Sequence, residues 1–434
     1  MSRRRFLHRP GRLAAGLLAL VLVLALPLMV LWLTLRGEAV LEPDAATAAP
    51  ADAALLARGA YLARAGNCAG CHTARGDAPY AGGRGIATPF GTVYAGNLTP
   101  DASGLGGWTA AQFRRALWHG RSADGRLLVP AFPYTHFTRV TRADADALWA
   151  HLRSLPPVAQ ANLPHALRWP YGSQAALAVW RALFFQPQAG HAPAPAMADA
   201  SLLRGAYLVN GLGHCSACHG SRNMLGGSGA LGNDGGGSTL PGQRWQAPSL
   251  TDPQQLAMGQ RSAAELVQLL KTGLSDQAAV MGPMAEVVAG STQHLTDADL
   301  QAMVAYLQSL APPPVALPAR TAALPPRDGG TLDRGRQLYA DQCAGCHGPQ
   351  GQGAPGAYPA LAGNPIVTLP DATNLVQAIT GGGFAPATAG NPRPYGMPPH
   401  DLPHDDLAAL ATWLRASWGH DAAPVSAVQV LLAR

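Results

Sequence analysis

All six cysteines of this 434-residue chain fall in three copies of one pentapeptide: Cys68-Ala69-Gly70-Cys71-His72, Cys215-Ser216-Ala217-Cys218-His219 and Cys343-Ala344-Gly345-Cys346-His347. Two thiols at this spacing can form thioethers with the two vinyl groups of one porphyrin, while the next residue swings its imidazole onto the iron. This is the attachment signature of c-type haem. A structural zinc site would pair each Cys-x-x-Cys with a second Cys or His pair at a regular offset, and none follows here. A thioredoxin-like redox pair would sit in a βαβ context and would not need the trailing histidine. The expectation is three covalent haem c groups on Cys68, Cys71, Cys215, Cys218, Cys343 and Cys346, with His72, His219 and His347 as iron ligands.

Each motif belongs to a longer repeat. The segments Arg58-Gly-Ala-Tyr-Leu, Arg204-Gly-Ala-Tyr-Leu and Arg334-Gly-Arg-Gln-Leu precede the first cysteines by 10, 11 and 9 residues, an internal periodicity that marks one unit per haem. Each repeat closes with an acidic start followed by apolar residues at helical spacing, over Asp144–Leu155, Asp297–Leu310 and Asp405–Ser417. The endings His151-Leu-Arg-Ser, Tyr306-Leu-Gln-Ser and Trp413-Leu-Arg-Ala align without gaps. A first and a last helix packed around a haem solve a size problem, because about 100 residues bury little core unaided and the cofactor supplies apolar surface.

Composition changes between the repeats. Ala311–Gly330 holds six prolines and ends in Gly-Gly, which reads as a stiff linker. Pro156–Ala200 is less simple: its apolar stretch Ala175–Phe185, with Trp180 inside, reads as a strap lying on a neighbouring domain. Gly226–Gly242 is glycine-rich and reads as a surface loop.

The N-terminus places the chain. Leu13–Leu35 is 23 residues without a charge, long enough at helical rise to cross a bilayer. Arg3, Arg4, Arg5, Arg9 and Arg12 precede it and no acidic residue occurs before Glu38, which sets the N-terminus in the cytoplasm and the rest outside. A cleaved signal peptide is the competing reading, but its apolar region normally runs only about 7 to 15 residues. The arginines of Ser2-Arg3-Arg4-Arg5-Phe6-Leu7 also resemble a twin-arginine export signal. That pathway carries folded cargo, whereas haem attachment needs accessible thiols after export, so they are read as topology determinants.

The formal net charge of +6 comes from this end. Six of the 31 basic side chains lie at or before Arg36, leaving 25 against 25 acidic ones. Haem propionates would then make the exported part acidic, and nucleic acid is not an expected partner.

The second iron ligand is expected from loops. Met397, in Tyr395-Gly-Met-Pro-Pro, lies 16 residues before Trp413 of the third closing helix, between glycine and prolines rather than on a helical face. Met/His is an established axial pair. In the second repeat Met281 and Met284 compete within Met281-Gly-Pro-Met284; Met284 is preferred and Met281 is read as a pocket wall. The first repeat departs from this pattern, because no methionine occurs between Met29 and Met197. Its sequence there is Val129-Pro-Ala-Phe132-Pro-Tyr-Thr-His136-Phe, and Phe132 cannot bind iron. His136, 15 residues before His151, is the expected ligand, with an open or water-bound iron as the alternative and His119 and His151 as weaker candidates.

Nearly all of the exported chain resembles the membrane-bound three-haem cytochrome c subunits of periplasmic dehydrogenases: those of quinoprotein alcohol dehydrogenases, of flavin-dependent gluconate and sorbitol dehydrogenases, and of molybdenum hydroxylases acting on aldehydes or N-heterocycles. The segments that carry the resemblance are Arg58-Gly-Ala-Tyr-Leu-Ala-Arg-Ala-Gly, Pro89-Phe-Gly-Thr-Val-Tyr, Gly205-Ala-Tyr-Leu-Val-Asn-Gly-Leu-Gly-His-Cys, Gly282-Pro-Met-Ala-Glu-Val-Val, Ser291-Thr-Gln-His-Leu-Thr-Asp and Ala411-Thr-Trp-Leu-Arg-Ala-Ser-Trp-Gly. Alcohol-dehydrogenase-type members would carry Met where Phe132 stands, so the first repeat looks more like the molybdenum-hydroxylase branch.

The resemblance implies an all-α chain of three tandem class I cytochrome c domains, 53–157, 201–310 and 331–420. Around them lie a cytoplasmic n-region and transmembrane anchor (1–36), a linker or strap (158–200), a Pro-rich linker (311–330) and a tail (421–434). It implies an electron-transfer subunit at the bacterial inner membrane with its haem domains in the periplasm. Such a subunit takes electrons from a molybdenum, flavin or quinoprotein dehydrogenase subunit and delivers them to ubiquinone or a terminal oxidase. No nucleotide loop, nucleophile–base pair or metalloprotease helix gives it a substrate-oxidising site of its own. A peroxidase-like multihaem enzyme and an oxidase-linked cytochrome without a dehydrogenase partner are the alternatives.

Overall fold

The computed structural model describes residues 52–188, 199–231, 236–240, 242–253, 255–256, 258–311 and 328–434, together with 21, 23, 25–30 and 32–33. Within them one plan occurs three times.

In the first unit the Asp52 carboxylate accepts the Leu55 N–H at 2.7 Å and starts helix α1 (Ala53–Ala65). Asn67, in the left-handed conformation, turns the chain into the short motif helix α2 (Cys68–His72). An antiparallel ribbon follows, β1 (Gly85–Thr88) paired with β2 (Gly91–Tyr94). Then come α3 (Ala110–His119), opened by a Thr109/Gln112 capping box, α4 (Tyr134–Phe137) and the closing helix α5 (Arg142–Ser154). Strand β3 (Ala166–Leu167) returns to β2, and α6 (Gln174–Phe184) ends the segment.

The second unit opens with α7 (Ala200–Asn210) and its motif turn α8 (Ser216–His219). It continues through β4 (Ser238–Thr239) paired with β5 (Gln246–Ala247), then α9 (Ala263–Thr272), α10 (Gly282–Gly290) and the closing α11 (Asp297–Leu310). The third has α12 (Gly329–Gln342), α13 (Ala344–His347), α14 (Pro365–Thr368) and α15 (Thr373–Gly381). Strands β6 (Gly383–Phe384) and β7 (Gly396–Met397) pair, and α16 (His404–Leu414) and α17 (Ala427–Ala433) follow. The helices carry the core; the short sheets, which apolar spacing alone does not signal, are additions to the all-α expectation.

Opening and closing helices pack on each other in every unit: α1 on α5, α7 on α11, α12 on α16. The glycine of each Arg-Gly-x-x-Leu segment sits at the crossing. A Cβ on Gly59 would run into the Ala147 carbonyl, one on Gly205 into that of Ala302, and one on Gly335 into that of Ala409. The arginine before each glycine reaches the acid in the first turn of the closing helix. Arg58 meets Asp144 at 2.5 Å, Arg204 meets Asp299 at 2.8 Å and Arg334 meets Asp406 at 2.7 Å.

The first two units share one buried cluster, running from Leu62, Phe113 and Leu148 to Leu208, Leu300 and Leu307. The third has its own, built on Leu338, Val376, Leu407 and Leu410. Two tyrosines cross the first boundary reciprocally: Tyr61 donates to Asp299 and Tyr207 to Asp144, each at 2.5 Å. The second boundary uses the Asn374 amide, which accepts the Gln246 N–H at 2.9 Å and donates to its carbonyl at 2.7 Å.

The segment expected as a linker or strap is fastened to the first unit. Asn97 donates to the Val158 carbonyl at 2.8 Å, and the Arg168 N–H reaches the Phe90 carbonyl at 2.9 Å. Helix α6 buries Leu177 and Ala178 against Leu127, while Trp180 donates to the Leu225 carbonyl of the second unit at 2.8 Å. The expected tail is folded too: α17 seats Val430 and Ala433 on the third unit, because Val425, Val430 and Ala433 fall on one face behind a Ser426/Gln429 capping box.

Of the expected anchor Leu13–Leu35, residues 13–20, 22, 24, 31 and 34–35 lie outside the described residues, as do 312–327 of the Pro-rich linker and 232–235 and 241 of the glycine-rich loop. The anchor residues described within 21–33 are helical, with Val21, Leu28 and Trp32 exposed. Among the described residues no helix is long and apolar enough to cross a membrane.

Candidate haem sites

The three motif histidines are prepared alike. His72 Nδ1 donates to the Gly96 carbonyl at 2.7 Å, His219 Nδ1 to that of Pro248 at 2.7 Å and His347 Nδ1 to that of Pro359 at 3.0 Å. The acceptors come from loops 12 to 29 residues downstream, so tertiary folding fixes the tautomer. With the proton on Nδ1, the Nε2 lone pair is free for a metal, and the carbonyl raises the ring's basicity as a ligand. Burial lowers the pKa of all three rings and keeps them neutral.

The thiols fit the same chemistry. Burial pushes Cys68 and Cys215 up to about 12 and Cys343 to about 11. Such surroundings disfavour the thiolates of a zinc site and accept an uncharged thioether. Among the described residues no group of three or more His, Cys, Asp or Glu is placed to hold a metal ion. In the first two units a guanidinium braces the motif turn: Arg84 donates to the Gly70 carbonyl at 2.6 Å, and Arg222 to that of Ala217.

In the third unit the expected ligands come together around one open cleft. Cys343, Cys346, His347 and Met397 all line it, with Tyr358, Pro359, Tyr395 and Pro398 among the other walls. Met397 is held there by the β6–β7 pairing, in which it faces Gly383. Gly382, at φ +58, is needed where the chain passes beneath, because a Cβ would strike the Met397 carbonyl. A cleft with thiols, imidazole and thioether on its walls carries the donor set for a covalently held porphyrin with His/Met ligation.

The same cleft separates the two competing methionines of the second unit. Met281 lines the third unit's cleft, beside Leu274 and Ala279. Met284 stays with the first turn of α10, behind Pro283. Met281 is therefore a wall, as expected, but of the neighbouring unit's pocket. Its place has no signal in the sequence, because the contact crosses a domain boundary.

His136 lies at the junction of the first two units. It is buried, its Nδ1 donates to the Asn210 carbonyl at 3.3 Å, and its ring centroid is 6.3 Å from that of His214. Burial, followed by His214 and Arg139, lowers its pKa to about 3, so it too is neutral with Nε2 unprotonated. The hydrogen bond and the ring contact of its imidazole, to Asn210 and His214, are both to the second unit. Phe132 packs its ring 5.5 Å from Phe137 in the shared core. His119 is buried at the end of α3, and His151 stands edge-on to Tyr80 at 6.2 Å.

The sequence reading missed the roles of Tyr61 and Tyr207. A signal existed: the third repeat has Gln337 at the equivalent position, where no partner unit needs a hydroxyl.

Comparison with known proteins agrees with this geometry. The family model "Cytochrome c" matches residues 56–156, 203–311 and 332–418. The chain is 39% identical over 385 residues to the cytochrome c subunit of alcohol dehydrogenase (quinone) from Gluconacetobacter polyoxogenes, covering 86% of this chain and 82% of the relative. It is 37% identical over 386 residues to the gluconate 2-dehydrogenase cytochrome c subunit of Pantoea cypripedii, covering 86% and 87%. It is 40% identical over 386 residues to a nicotinate dehydrogenase subunit of Pseudomonas putida, covering 85% of this chain and 31% of that longer protein. On the matched units and on identity spread over most of its length, the chain belongs to the cytochrome c family.

Proposed function

We propose that this protein is the electron-transfer subunit of a dehydrogenase complex, carrying three haem c groups in three class I cytochrome c domains bounded at 53–157, 201–310 and 331–420. The observation that carries the reading is the threefold recurrence of one prepared site: two thiols and an imidazole whose Nδ1 is tied to a loop carbonyl. Haem c, when bound, supplies a one-electron ferric/ferrous couple. The chain's part is to hold the group, fix its ligands and shield it from water.

Cys68/Cys71, Cys215/Cys218 and Cys343/Cys346 would hold the groups as thioethers, and His72, His219 and His347 would supply one iron-binding nitrogen each. Met397 and Met284 supply sulfur in the third and second domains. In the first, His136 would supply the second iron ligand; its neutral ring and its Nδ1 bond repeat the preparation of the motif histidines. The partner is a periplasmic dehydrogenase subunit of molybdenum, flavin or quinoprotein type, and the acceptor is ubiquinone or a terminal oxidase. The Phe132/His136 variant, which resembles the molybdenum-hydroxylase branch, favours the molybdenum type. The run Leu13–Leu35 anchors the chain in the inner membrane with the haem domains in the periplasm.

The test is expression with a haem-attachment system, then intact mass and co-purification from detergent-solubilised membranes. A mass for three haems, falling by one in Cys343→Ser/Cys346→Ser, and a dehydrogenase subunit in the same complex are expected. Fewer than three haems with normal maturation would overturn the count. A chain released by salt alone would overturn the anchor.

A further inference from the structure

We infer that Met281 is a residue of the third haem site donated by the second unit, and that it sets the polarity of that site across the domain boundary. The inference rests on the haem-binding reading above and goes beyond it, because it gives the third site a wall from outside its own domain.

Three observations carry it. First, Met281 lines the cleft that also holds Cys343, Cys346, His347 and Met397, and a Cβ on Gly383 would lie 3.4 Å from its Cε. Second, its position is built on both sides. Before it, the turn from Gly273 to Val280 is closed by Val280 N–H to the Gly273 carbonyl at 2.9 Å and Ser275 N–H to the Ala278 carbonyl at 2.8 Å. After it, Gly282 has φ +56, and a Cβ there would lie 2.6 Å from the Trp245 ring. Third, the third unit is docked onto this very turn: Gly273 packs under Pro386, and Thr388 donates to the Thr272 carbonyl at 3.2 Å.

A thioether at this place has a definite physical effect. It is apolar and polarizable, and fills an irregular gap without bringing a charge or a competing hydrogen bond. It thereby keeps water from one side of a site whose iron gains and loses a positive charge. Burial is one of the levers by which a protein tunes a haem, and in a low-dielectric cleft an added charge acts strongly. Three residues on, Met284 is the candidate ligand of the second site, so the segment Met281-Gly-Pro-Met284 joins two sites.

The experiment is a redox titration of the full-length holoprotein, with the third haem identified as the component lost in Cys343→Ser/Cys346→Ser. In Met281→Glu the ferrous-to-ferric ratio of that component at a fixed ambient potential should fall about tenfold. The sulfur-to-iron bands should persist and the second-haem component should not move. Met281→Leu should restore the wild-type titration, which separates an apolar wall from mere interface filling. An unmoved third component in Met281→Glu, with three haems present by intact mass, overturns the inference alone. Loss of the second haem's sulfur band in Met281→Leu also overturns it, since Met281 would then be that haem's ligand. A wild-type mass lacking the third haem defeats the haem-binding reading itself.

Discussion

The first two repeats and the third are built from the same parts and joined on different terms. In the first pair each arginine–carboxylate contact takes a third member from the other unit, so Asp144 is held by Arg58 and Tyr207, and Asp299 by Arg204 and Tyr61. The hydrophobic cluster runs through both units without a break. In the third unit Arg334 and Asp406 form the same two-bond pair, but Gln337 is exposed and the core is separate. A motif inside one unit thus becomes an interface when a single position, the third after the arginine, changes from glutamine to tyrosine.

The largest test of this contrast lies at the helix crossings. Gly205→Val should cost about 3 kcal/mol or more, since the backbones already touch, and calorimetry should show the first two units losing stability together. Gly335→Val should lower the third unit's transition alone. Independent melting of the first and second units would break the comparison.

Asp144→Ala removes a buried carboxylate with two partners and should cost about 2 to 3 kcal/mol in chemical denaturation. Asp406→Ala, at an exposed pair, should cost distinctly less. Tyr207→Phe deletes one hydroxyl and should cost about 1.5 kcal/mol, against no measurable change for Gln337→Ala. If the two were equal, the tyrosine would not be the linking element.

The smallest effect is on pH dependence. Hydrogen bonding to Arg204, with Tyr61 adding, holds the Asp299 carboxyl below its ordinary value of 3.8. A depressed carboxylate gives stability that is complete above its unfolded pKa and lost as pH falls through the folded one. The stability difference between the wild type and Asp299→Asn should therefore shrink as pH falls from about 5 to about 2. A difference that grows in acid would show the sign to be wrong.

Much of this was legible because it is local. The closing helix expected over Asp297–Leu310 has those bounds, and those expected over Asp144–Leu155 and Asp405–Ser417 are Arg142–Ser154 and His404–Leu414. Apolar periodicity and an acidic first turn are properties of consecutive residues. The pairing of Ala166–Leu167 with Gly91 and Thr92 is not; two-residue strands have no pattern of their own and are made by what they meet. The position of Met397 beside Cys343 and His347 could be anticipated because its loop lies in its own repeat. Met281 could not, because its cleft belongs to residues about 60 to 120 positions later in the chain, brought close by the turn at Gly273.

The reciprocal tyrosines also decide what can be inherited or transplanted separately. A replacement at Tyr61 leaves Asp299 with Arg204 alone, and one at Tyr207 leaves Asp144 with Arg58 alone, so a change in either early repeat is felt in the other. The third repeat meets its neighbour largely through main-chain groups, the Gln246 N–H and carbonyl and the Thr272 carbonyl, which any residue but proline at 246 would still provide. A chimaera should therefore tolerate a borrowed third repeat that keeps Asn374 and Thr388, while the first and second are better taken from one parent.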